Sequence, residues 1–134
     1  MPGPAPKARG QDLLIDNLGQ MPRVHQTPNF VLNSTWEKDS WYYPHRAEVK
    51  AAKMRVRTAP TTGTSTVGLS KQGSAGFYGT ALVPTGIATG ALVDIPIGTN
   101  NVINKDDVLI VEVIAASTLG TADLAIVTSP LPAA

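Results

Sequence analysis

The chain contains no cysteine, which excludes disulfides, thiolate metal sites and cysteine redox chemistry. It has only two histidines, His25 and His45, and neither sits in a His-x-x-x-His or Cys/His spacing. His45 and Glu48 can face one another across a turn, but a zinc site needs more ligands than two. No apolar run approaches the ~18 residues that span a bilayer, so no membrane partner is expected. The opening Met-Pro-Gly-Pro-Ala-Pro-Lys also lacks the apolar core of a secretory signal. Lys and Arg never form a run, which argues against a nucleic-acid patch.

Catalytic patterns are missing as well. Gly73-Ser74-Ala75-Gly76 is not followed by Gly-Lys-Ser/Thr and is not a phosphate loop. The second half holds serines but no histidine, so a Ser-His-Asp arrangement would have to recruit His25 or His45. Asp94, Glu112 and Asp123 are candidates for paired-carboxylate chemistry only because acids are few. Asp106-Asp107 reads as a turn whose carboxylates cap backbone donors, and its spacing matches no EF-hand. Neither an enzyme nor a metal nor any other cofactor is expected.

What is present divides unevenly. Through Thr58 there are nine Lys/Arg against five acids, a net of +4. From Ala59 onward two Lys face five acids, a net of −3. Such a split suggests an interaction segment joined to a folded unit.

The folded unit is organised around Asp106 to Ser129. Two Val/Ile-rich runs, Val108–Ala115 and Asp123–Thr128, flank a short turn containing Gly120, which predicts an antiparallel strand pair. β-Branched residues crowd a helical turn and suit a pleat, which disfavours a helix here. Alternation puts Leu109, Val111, Val113 and Ala115 on one face, the expected core. It puts Val108, Ile110, Glu112 and Ile114 on the other, apolar apart from one carboxylate. A strand on a free monomer usually shows a polar outer face, so a second sheet or another chain should cover this one. These four residues are the candidate oligomer interface.

Further β-prone runs are Met54–Thr58, Ser65–Ser70, Phe77–Val83, Ala91–Ile97 and Val102–Asn104, separated by Gly/Pro/Asn/Thr turn clusters. Pro96 marks an edge or a strand end, and Pro130 should stop pairing. The pattern predicts an all-β fold: a small antiparallel β-sandwich or jelly-roll-like domain over residues 54–134. A core this small is marginal alone.

Residues 1–53 read as an extended arm rich in proline and aromatics, with at most short helices. Asp12–Leu18 suits a short helix, with Leu13, Leu14 and Leu18 on one face and Gly19 as its stop. Seven residues hold no helix unless those leucines dock on something. Arg46–Lys53 reads as a short helical turn or as a lead into the next strand, with the helical turn preferred. Met21–Pro44 has no clean period, yet it holds five of the seven aromatics: Phe30, Trp36, Trp41, Tyr42 and Tyr43. Disordered linkers are poor in rings, and large rings with polar tips are favoured interface anchors. The alternative is that these rings cover an open end of the sandwich. The candidate partner-binding residues are these five, the three leucines, and Arg23, Arg46, Arg55 and Arg57.

Three stretches carry a family resemblance: Met54-Arg-Val-Arg-Thr-Ala-Pro-Thr-Thr-Gly, Thr66-Val-Gly-Leu, and Asp107-Val-Leu-Ile-Val-Glu-Val with Asp123-Leu-Ala-Ile-Val. Over residues 54 to 128 the chain resembles the small β-sandwich decoration, or cement, proteins of tailed-bacteriophage heads. The resemblance implies a non-enzymatic protein on the outer capsid surface of a virion. Its partners would be the major capsid protein, clamped by an arm, and itself, as a homotrimer in preference to a dimer. A tail, neck or fibre component is the alternative within that class. Outside it, a carbohydrate-binding module would use Trp36 and Trp41 to stack on sugar rings.

Overall fold

The computed structural model describes residues 22–74 and 76–132. The candidate helix Asp12–Leu18, with Leu13, Leu14 and Leu18, lies outside them. Nine strands follow one another: β1 (Arg23–Val31), β2 (Glu37–Tyr42), β3 (Ala47–Thr58), β4 (Ser65–Lys71), β5 (Phe77–Val83), β6 (Leu92–Asp94), β7 (Val102–Ile103), β8 (Val108–Ala115) and β9 (Thr121–Pro130). There is no helix among the described residues. The strands form two antiparallel sheets, one of five strands in the order β1-β9-β3-β6 with β7 also on β3, and one of four in the order β2-β8-β4-β5. The architecture is the expected all-β sandwich.

The core lies between the sheets and follows the period of two. On β8, Leu109, Val111 and Val113 are buried; on β9, Ala122, Leu124 and Ile126; on β3, Val49, Ala52, Met54 and Val56; on β4, Val67 and Leu69. Tyr78 joins them, its hydroxyl donating to the Val102 carbonyl at 3.2 Å. Burial pushes its phenol up to about 12.

Several sequence expectations are corrected. The boundary after residue 53 falls inside β3, and β1 and β2 are full members of the two sheets. The helical turn at Arg46–Lys53 is instead strand: Ala47 to Thr58 pairs along β9. Within β3, Lys50, Lys53, Arg55 and Arg57 face solvent while Val49, Ala52, Met54 and Val56 are buried. Such alternation favours a strand over helix-prone composition. Pro130 does not stop pairing before itself; it sits opposite Ala47, and the next residue donates from Leu131 N to Arg46 O. Ala115 is exposed, because β8 bulges against β4 just before it, where Thr66 faces Ala115 and Val67 faces Val113.

The predicted pairing of residues 108–115 with 123–128 is also corrected. β8 and β9 belong to opposite sheets. Their connector arches across the end of the sandwich through Leu119 (φ 57) and Gly120 (φ 99). Left-handed backbone suits Gly120 and strains Leu119. Buried Ser117 fastens this arch, its hydroxyl 2.7 Å from that of Ser65. Leu32 N donates to Gly120 O at 2.9 Å.

Candidate protein-binding face

The ring-rich stretch resolves into two groups. Phe30 and Tyr43 are 6% and 2% exposed and belong to the core, so their assignment to partner binding is corrected. Trp41 is partly buried against that core. Its indole stacks on the His25 imidazole at 4.5 Å and 15°. His25 Nε2 lies 2.6 Å from the Tyr43 hydroxyl, which donates to Thr128 Oγ1 at 2.8 Å. Half-buried Arg23 joins the group, its guanidinium 5.6 Å from the Tyr43 ring centre. This cluster joins β1, β2 and β9 and seals one end of the sandwich, the alternative that the sequence left open. Burial and then the Arg23 charge lower the His25 pKa, against a smaller opposing pull from Asp39. Burial raises that of Tyr43.

The second group is exposed. Trp36 and Tyr42 are 61% and 56% exposed. The Trp36 indole nitrogen donates to Ser34 Oγ at 2.6 Å, and the Lys38 ammonium lies 4.4 Å from the ring centre. Trp41 is stacked inside the sandwich end, so the two tryptophans do not form a shared platform for a sugar. Tyr42 donates its hydroxyl to Asp106 Oδ1. That bond is the first cause of its raised pKa.

Tyr42 opens onto the outer face of the four-stranded sheet. Opposite it in register stands Val108, and Ser40 faces Ile110. Ile110 in turn faces Ser70 on β4, which faces Phe77 on β5. Leu82 continues the face opposite Thr66. Phe77, Leu82 and Ile114 remain exposed, and Val108 and Ile110 are half-buried. No described element covers this face, since the other sheet packs on the opposite side of β8. It is the apolar second face expected from residues 108–115.

Gly68 lets the face close up laterally. A Cβ there would lie 2.6 Å from Ile114 Cδ1 and 3.0 Å from Phe77 Cδ1. These side chains therefore lie across the bare backbone of β4, and Gly68 is buried beneath them. Near the middle stand two carboxylates directly across from each other, Glu37 on β2 and Glu112 on β8. Glu112 Oε1 accepts a hydrogen bond from Ser70 Oγ at 3.3 Å. Like charges in facing positions repel, so this spot favours a partner that brings a cation.

The remaining predicted residues scatter. Arg46 donates to the Pro132 carbonyl at 3.1 Å. Arg55 and Arg57 lie on β3 in the five-stranded sheet, away from the apolar face. Among the described residues no group of three or more His, Asp or Glu is placed to hold a metal. Sequence reasoning missed Phe77 and Leu82 as face residues, although period-two alternation along 77–83 carried the signal for Leu82.

No protein-family model matches this sequence, and no curated protein matches it. Among the solved structures that resemble the chain are two viral ones. One is the acid-stable capsid of Helicobacter pylori bacteriophage KHP30, 16% identical over 84% of this chain and 95% of that chain, with a TM-score of 0.49. The other is infectious bursal disease virus, Gx strain, 16% identical over 80% of this chain and 32% of that chain, with a TM-score of 0.40. Both TM-scores lie below 0.5, too low to transfer a function.

Proposed function

We propose that this protein is a non-enzymatic structural component of a virion. In this reading it decorates the outside of a phage capsid, self-associates, and steadies adjacent major capsid proteins. One observation carries the reading: an apolar sheet face of Tyr42, Val108, Ile110, Ile114, Phe77 and Leu82 lies uncovered by any described element. Contiguous apolar patches on soluble chains mark interaction surfaces, and β-sheet presents them without an ordering cost. The decoration-protein style of residues 54–69 and 107–127 supports the choice of partner. The clamp is reassigned from the ring-rich stretch, which is sandwich, to this face. Many modest contacts repeated over a lattice give avidity that one patch lacks.

The test is Ile110→Lys. Ile110 points away from the core, so the sandwich should fold with wild-type circular dichroism. Self-association followed by sedimentation velocity should weaken by roughly 30-fold or more, the scale of an anchor residue of about 2 kcal/mol. Unchanged association of the folded variant, or a wild-type protein that stays monomeric at its highest soluble concentration, refutes the reading.

A further inference from the structure

The five-stranded sheet has a solvent face of different character. Two adjacent rows cross it: Gln26, Ala125, Lys53 and Asp94, then Asp123, Arg55 and Leu92 beside Pro28. Ala125 is small, and Leu92 stands 63% exposed. Between them the surface dips into a concavity of about 360 Å³, walled by β1 on one side and by the cations of β3 on the other. Two of those cations are answered within the sheet. Arg57 Nε meets Asp123 Oδ2 at 2.7 Å, and Lys53 Nζ meets Asp94 Oδ1 at 3.5 Å. The other oxygen of Asp123 accepts the Asn29 amide at 2.7 Å. Each oxygen of Asp123 thus already has one partner, although the residue stands opposite Arg55. Among the described residues Arg55 has no ion pair and no side-chain hydrogen bond. The concavity therefore combines an exposed leucine, a small residue at Ala125 and a guanidinium without an ion pair among the described residues.

We infer that this groove binds the chain's own segment Asp12-Leu13-Leu14-Ile15-Asp16. That segment lies outside the described residues. It has the complementary pattern: three consecutive apolar side chains between two carboxylates. The apolar trio meets Leu92 and Ala125, and a flanking Asp answers Arg55 in the bidentate geometry guanidinium favours. Reach permits it. From Asp16 to Pro22 the chain spans up to roughly 20 Å, at about 3.3 Å per extended residue. Arg55 and Leu92 stand level with Pro28, roughly 20 Å along β1 from Pro22 and roughly 10–14 Å across the sheet, and Leu14, up to roughly 26 Å from Pro22 along an extended chain, reaches them. A tethered segment also holds a high local concentration that a free peptide lacks. Occupation by the same copy is therefore favoured over a neighbour's. The inference removes Leu13 and Leu14 from partner docking, and it is independent of any virion role.

The absence of cysteine makes the test clean. In the full chain, Leu14→Cys is combined with Leu92→Cys, or with Leu82→Cys on the opposite sheet's outer face. Leu92 and Leu82 are 63% and 60% exposed, so both substitutions are matched for tolerance. Under mild oxidation the Leu92 pair should close into an intrachain disulfide at least tenfold faster than the Leu82 pair. The readout is migration on a non-reducing gel. Adding Arg55→Glu, with unchanged circular dichroism, should slow closure several-fold, and Asp12→Lys with Asp16→Lys should restore it. Equal rates for the two pairs, bridging only between chains, or indifference to Arg55→Glu would each overturn the inference.

Discussion

Alanine at Gly79 should unfold this sandwich far more readily than alanine at Gly68, although the two glycines sit on paired strands. At Gly79 a Cβ would lie 2.1 Å from the Pro96 carbonyl oxygen and 3.1 Å from Ile95 Cγ2. Real Cβ atoms do not approach within 3.0 Å, so the Pro96 backbone must retreat by at least 0.9 Å. That segment carries Ile95, 2% exposed in the core, and it is tied to β5 by Gly98 N donating to Tyr78 O at 2.9 Å. Breaking that bond costs about 1–3 kcal/mol. Partial loss of Ile95 packing adds about 1–2 kcal/mol, and the lower chain entropy of alanine offsets about 0.5–1 kcal/mol. The net is a loss of about 1–4.5 kcal/mol, or roughly 4–16 °C in Tm for a chain of this size. At Gly68 the neighbours are the Ile114 methyl and the Phe77 ring, side-chain ends on an open face that can swing aside. Stability there should stay within about 1 kcal/mol of wild type, while self-association falls because those side chains form the proposed contact. Urea titration followed by circular dichroism, with sedimentation velocity on both variants, reads all of this. A Gly79→Ala variant within about 0.5 kcal/mol of wild type would refute the packing account. Unaltered association of Gly68→Ala would count against the proposed contact surface.

Two further outcomes are expected. Phe30→Ala should cost about 3–5 kcal/mol as a core truncation, whereas Trp36→Ala should cost no more than about 1 kcal/mol, its cation–π contact with Lys38 being exposed; equal losses in denaturant titration would contradict the assignment of Phe30 to the core. Stability should also carry a histidine signature in acid. The native His25 pKa is lowered from 6.5, so its contribution is complete above about pH 6.5. It declines as pH falls below that value, because the unfolded chain takes up a proton the native chain resists, and levels off beneath the lowered native pKa. His25→Gln should flatten that part of the stability profile, and a profile of unchanged slope between pH 7 and 5 would refute it.

Fold class was legible in the sequence because period-two alternation survives where strands pair without interruption. The runs 77–83 and 108–115 coincide with β5 and β8, and the apolar second face of β8 follows from alternation alone. The first half hid its strands because bulges break the period. Between Thr27 and Phe30 the register slips, with Asn29 at φ 48, and between Glu37 and Asp39 it slips again. Each slip turns the following side chains over, so Phe30 and Trp41 fall out of phase with any simple pattern. Helix-prone Ala, Glu and Lys disguised the start of β3 in the same way, until a partner strand imposed extension.

The amino-acid order by itself determined that this chain is β-structured, cysteine-free and uneven in charge, and that one of its strands is apolar on both sides. Only the tertiary structure decided which sheet each strand joins. An arch and a hairpin use similar short, glycine-containing connectors, and the choice between them at residues 116–120 rests on distant contacts, Ser117 with Ser65 and Leu32 with Gly120. It also decided which rings are core and which are surface, because that depends on what the opposite sheet brings to meet them.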